Sequence, residues 1–133
     1  MNLSYEVRDD YLYVKAVGEF SLTMARGVLF EWIEKAREHT LKCILCDITL
    51  LAGLTTEQTL SMVRFNTGEL MARSIPGDFK LAVLGTPLQL IESQSKYVET
   101  VMINKGVNLK VTDNLYEALA WLGVASADKP ASG

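Results

Sequence analysis

The chain has 133 residues, 49% of them hydrophobic, which suits one domain with a full core. Its 13 basic and 16 acidic residues are mixed along the sequence and leave a net charge of -3, with no basic stripe to hold nucleic acid and no polyacidic tail. Met1-Asn2-Leu3-Ser4-Tyr5 lacks a basic region followed by an apolar run, and no segment approaches the roughly 18 apolar residues that cross a bilayer, so the expected location is the cytoplasm, with no transmembrane segment.

In chain order, Tyr5 to Arg8 and Tyr11 to Gly18 read as two β-prone runs joined at the Asp9-Asp10 turn. The second run is longer and more apolar, which suits an inner strand. Ser21 is a good N-cap for a first helix running to about Glu38, with Leu22, Ala25, Leu29, Trp32, Ile33 and Ala36 recurring at helical spacing. His39 closes that helix, where an imidazole suits the dipole and faces solvent.

The run Lys42-Cys43-Ile44-Leu45-Cys46-Asp47-Ile48 reads as a central buried strand that ends in an acid. Its Cys43-x-x-Cys46 pair lies inside the strand, where residues three apart face opposite ways, so the two thiols read as core rather than as a redox or metal site. Thr49 to Leu54 reads as a loop, and a second helix spans about Thr56 to Arg73, with Leu60, Val63, Thr67, Leu70 and Met71 inward. Ile75-Pro76-Gly77-Asp78 breaks it.

Phe79 to Leu84 is the next buried strand. Gly85-Thr86-Pro87 supplies a turn, an N-cap and a proline at the first helical position. A third helix runs on to about Lys105, with Leu90, Ile91, Val98, Val101 and Met102 inward, and Gly106 stops it. Asn108 to Val111 is a short edge strand, and Asp113 caps a last helix over Leu115, Ala118, Leu119 and Leu122. From Gly123 to Gly133 the composition is that of a flexible tail. The order β-β-α-β-α-β-α-β-α defines an α/β domain over residues 1–122 with five strands and four helices.

With its N-terminal hairpin, an apolar strand ending at Asp47, then a loop, a hydroxyl pair and a helix, this chain resembles the STAS (SpoIIAA-like) family from Leu3 to about Leu122. The type member of that family is the bacterial anti-sigma-factor antagonist. The resemblance implies a single-domain mixed sheet and a non-catalytic regulatory or protein-interaction module. In that family the loop after the corresponding strand reads Asp-Ser-Ser-Gly, and a serine there is phosphorylated to switch binding. Here the register falls on Thr55-Thr56-Glu57-Gln58, with the acid lost, threonines for serines and the glycine replaced. Thr55 and Thr56 are thus phospho-acceptor candidates, while Thr55 with Gln58 also forms a capping box. The fold is similar, too, to CRAL-TRIO lipid-binding domains, which implies a small apolar ligand as the competing function.

Ligands of open α/β sheets sit outside the carboxyl ends of the strands. Here those ends gather Asp47, Thr49, Glu57, Asp113 and Thr86 but no placed nucleophile or base, so no catalytic residue, metal ligand or cofactor is expected. Leu50, Leu51, Leu54, Met62 and Phe65, with Asn66 beside them, form an apolar excess off the main helix stripe. Exposed, it is a surface for a protein partner or a second copy; enclosed, it is part of the core or a pocket for an apolar ligand.

Overall fold

The computed structural model describes residues 1–72 and 79–124, with side chains described outside 67–72. Five strands form one mixed sheet whose spatial order is the sequence order: β1 (Asn2–Val7), β2 (Leu12–Glu19), β3 (Cys43–Ala52), β4 (Lys80–Leu84) and β5 (Asn108–Thr112). The first pair is an antiparallel hairpin and the other neighbours are parallel. As expected, β2 is an inner strand and β5 an edge.

Strands laid down successively in one direction, with crossovers of one hand, place every crossover on the same face. Accordingly α1 (Leu22–Ala25), α2 (Val28–Glu38), α3 (Thr56–Ala72), α4 (Pro87–Glu92) and α5 (Ser95–Asn104) precede the strands they lead into, and the main core joins α2, α3 and α5 to one sheet face through Leu12, Val14, Ile44, Cys46 and Leu81. The last described helix, α6 (Leu115–Leu122), follows the edge strand β5. It covers the opposite face, burying Ala118, Leu119 and Leu122 against Leu45 and Ala82. Cys46 belongs to the first core and Cys43 packs on the second, so the two free thiols face away from each other as the strand period requires.

Six helices stand among the described residues where the sequence reading had four, because two of the four are broken. The first breaks at Gly27, whose φ of 77° is the left-handed region that glycine enters without strain. Asn66 of α3 holds the break: its Oδ1 accepts from the Gly27 N–H at 2.8 Å and its Nδ2 donates to the Ala25 carbonyl at 3.3 Å. Asn66, read from the sequence as lying off the inward stripe, is 5% exposed. The third helix breaks at Ser93-Gln94, where Gln94 has φ 50°, and the break rotates Ile91 outward to 73% exposure instead of inward.

Smaller differences have equally local causes. Asn114, rather than Asp113, caps α6, its side chain accepting from the Glu117 N–H at 3.0 Å. Gly123 ends that helix at φ 76° and Val124 is buried in the second core, so ordered packing runs two residues past the expected boundary. The remaining tail and the Ile75 to Asp78 breaker lie outside the described residues, as do the side chains of Thr67, Leu70 and Met71.

Replacing Asn66 by leucine keeps its bulk but leaves the half-buried Gly27 N–H and the buried Ala25 carbonyl without their Asn66 partner. At about 1–3 kcal/mol for each such group, the variant should lose roughly 2 kcal/mol or more of unfolding free energy in a urea titration.

Candidate functional site

The sequence reading stops the central strand near Asp47, but β3 runs on to Ala52. On one side its ladder with β4 does end there, Asp47 pairing with Leu84. On the other side β2 is long enough to continue, and Leu50, Leu51 and Ala52 pair with Val17, Gly18 and Glu19. Thr49 and Leu50 are therefore strand residues, not loop.

Between these two stretches lies a bulge. Lys15 pairs with Asp47 but Val17 pairs with Leu50, so β3 carries one extra residue. The extra residue leaves an amide out of the ladder, and Asp47 takes it: Oδ1 accepts from the Thr49 N–H at 2.9 Å and from the Thr49 hydroxyl at 2.6 Å. Oδ2 accepts from the Tyr13 hydroxyl at 2.8 Å. Both carboxylate oxygens are thus engaged within the fold. Burial raises the Tyr13 hydroxyl pKa well above its ordinary 10.0, and the neighbouring Asp47 carboxylate raises it further by hydrogen bond and charge.

The bulge also reverses which side chains face inward, because a slip of one residue flips the faces of a strand. Leu51 turns into the helix-covered face and is 8% exposed, while Leu50 turns out beside Val17 and is 58% exposed. Inside, Ile48 and Leu51 form one wall of a cavity of about 140 Å³ between the sheet and helices α1, α2, α3 and α5. Leu54 and Met62, both half-buried, line it from the α3 side, and Leu90 lines it from α4. Phe65 instead faces solvent at 42% exposure, under the Arg26 guanidinium. The apolar excess is therefore divided between a cavity wall and two exposed residues on separate surfaces, and does not form one patch.

The hydroxyl and carboxamide side chains around the cavity donate to backbone. Thr59 Oγ1 donates to the Thr55 carbonyl, Ser93 Oγ to the Gln89 carbonyl and Ser95 Oγ to the Leu90 carbonyl, while Asn66 holds the α1–α2 break. The rest of the lining includes aliphatic groups, methionines, the Cys46 sulfur, whose pKa burial raises strongly, and Trp32, whose buried Nε1 has no hydrogen-bond partner. Among the described residues no three His, Cys, Asp or Glu side chains gather as a metal site requires.

Thr55 is the exposed N-cap of α3, its Oγ1 accepting from the Gln58 N–H at 3.2 Å, with Gln58 Oε1 returning to the Thr55 N–H at 3.4 Å. Thr56 Oγ1 donates to the Glu92 carbonyl at 2.7 Å, tying the start of α3 to the end of α4, and Glu57 is exposed on the first turn. Thr86 caps α4 in a full capping box with Gln89. Gln89, which the sequence reading passed over, does more than complete that box. Its Nε2 donates to the Ile48 carbonyl at 2.6 Å and to the Leu51 carbonyl at 2.8 Å, on the part of β3 that β4 does not reach. The Thr86-x-x-Gln89 spacing was the available signal, but the second contact required knowing that β3 outruns β4.

Two outcomes follow from Asp47 and Tyr13. Asp47→Ala orphans the Thr49 amide and the Tyr13 hydroxyl and should cost about 2–3 kcal/mol in chemical denaturation, with Asp47→Asn, which keeps an acceptor for Thr49, costing less. Because folding raises the Tyr13 pKa, its contribution is complete below pH 10 and is lost as the pH climbs through the folded value, so stability should fall on alkaline titration. Tyr13→Phe should make that fall shallower; an unchanged slope would show that other groups govern it.

No protein-family model matches the chain, and no curated protein matches it. Solved structures do, two of them as follows. An uncharacterized protein of the DUF3478 family with a SpoIIAA-like fold, from Shewanella loihica PV-4, shares 22% identity at a TM-score of 0.50, covering 91% of this chain and 92% of its own. An anti-sigma factor antagonist from Mycobacterium paratuberculosis shares 14% identity at a TM-score of 0.56, covering 92% of this chain and 94% of its own. The two likenesses extend over nearly the whole chain: this chain has a SpoIIAA-like, STAS-type fold.

Proposed function

We propose that the chain is a non-catalytic regulatory module of the STAS type that works by binding, and that it binds a small apolar molecule in the cavity between the sheet and α3. The observation that carries this reading is the cavity of about 140 Å³ with a mainly apolar lining. An enclosed apolar space of roughly 150 Å³ stays dry and accepts benzene, whereas drug-sized ligands occupy roughly 300–1,000 Å³. The matching ligand is a single ring or a short acyl segment. The anti-sigma factor antagonist's likeness in fold supports the regulatory half of the reading.

A second reading is favoured by Leu50, 58% exposed on the sheet face that α6 leaves open. On this reading a protein partner or second copy docks there, with Asp47 and Thr49 holding the bulge that presents Leu50. The exposed Thr55 adds a way to switch either function, since a phosphate there would sit at the positive end of a 17-residue helix.

Toluene should raise the thermal midpoint of the purified protein, and Val63→Phe, which fills the cavity from α3, should abolish that rise without lowering stability. No rise, or a variant that loses about 1–3 kcal/mol through overpacking, would count against an available cavity. Native mass spectrometry of protein from its own host should show a small added mass released by organic extraction. An oligomer lost in Leu50→Asp would favour the docking reading, and an added phosphate would locate the switch.

A further inference from the structure

We propose that α4 is a gate over the cavity and that Gln89 is its latch; this rests on the binding reading above. The helix is seated unlike its neighbours. It buries none of its own residues, and Leu88 and Ile91 stand 63% and 73% exposed, so only the half-buried Leu90 packs inward. With so little apolar surface removed from water, its position depends on polar contacts at its two ends. Gln89 donates to the Ile48 and Leu51 carbonyls and accepts from the Thr86 N–H at 2.7 Å, and Thr56 holds the Glu92 carbonyl.

The two strand carbonyls belong to the edge that β3 exposes beyond β4, so water can replace Gln89 there when α4 lifts. Exchange of that kind leaves a latch weak enough to open. The ends of α4 are closely seated, without regular helix running through them into its neighbours. Gly85 precedes it, where a Cβ would lie 2.7 Å from Leu90 Cδ1 and 3.2 Å from Gln89 Oε1, and Gln94 follows it in the left-handed region at φ 50°. Lifting α4 about these ends carries Leu90 and Ser93 off the cavity they line.

Cys46 reports the opening, because its thiol is buried on the cavity wall while Cys43 lies on the other sheet face. In a Cys43→Ser background, the reaction rate of Cys46 with methyl methanethiosulfonate measures access. Gln89→Glu keeps an acceptor for the Thr86 amide but cannot donate to Ile48 and Leu51, so it should speed labelling by roughly tenfold or more. Leu119→Ala, which loosens the α6 face instead, controls for global unfolding and should speed labelling far less for an equal loss of stability. Equal rates for Gln89→Glu and its parent, or acceleration matched by Leu119→Ala, would overturn the gate. If Gln89→Glu does not fold, Gln89→Met breaks the same two bonds without adding charge and is read against the same control. Toluene separates the two claims: fast labelling in the latch variant that toluene does not slow keeps the gate and removes the ligand.

Discussion

The Asp47 carboxylate is the constraint on which the site depends. A strand paired to β2 as far as Ala52 but to β4 only as far as Asp47 has to accommodate two neighbours of different reach, and β3 does so with one extra residue. An amide left out of a ladder in a half-buried place is costly, and the Asp47 side chain supplies the missing acceptor two residues away. Tyr13 takes the other oxygen and ties the arrangement to β2. An acid that looked available for a ligand is thus occupied in shaping backbone.

From that bulge the rest follows by geometry. The faces of β3 reverse, Leu51 enters the helix layer and Leu50 leaves it. The unpaired edge beyond Asp47 leaves the Ile48 and Leu51 carbonyls to be met by a side chain, and Gln89 meets them. Asn66 acts in a similar way across the layer, accepting from and donating to the broken turn between α1 and α2. Both amides satisfy backbone groups that regular structure would have paired, and both stand beside a cavity whose facing surface is left mainly apolar. The hydroxyls and carboxamides that might have anchored a polar ligand are engaged elsewhere, which narrows the chemistry of what fits.

Much of the fold was legible because its signals are local. The turn at Asp9-Asp10, the start of β3, the Thr55 and Thr86 caps and the Gly106 stop each depend on a few neighbouring residues, and each stands where the pattern put it, although β1 begins earlier and β3 ends later than the pattern suggests. The two cysteines were assigned to opposite faces from the strand period alone. Less legible was helix continuity. Gly27 and Gln94 interrupt helices whose apolar spacing runs on across the break, and Gly27 holds its turn because Asn66, far away in sequence, pairs with it.

What the sequence by itself determined is the five strands, the helical stretches between them and their order, since periodicity, caps and breakers act within a turn or two. What only the tertiary structure decided is which residues of Thr49 to Phe65 face inward. That choice turns on one inserted residue in a parallel ladder, and its parity depends on how far β2 and β4 each extend beside β3, a property of three strands at once. A cavity is likewise a volume between layers, and no single segment encodes it.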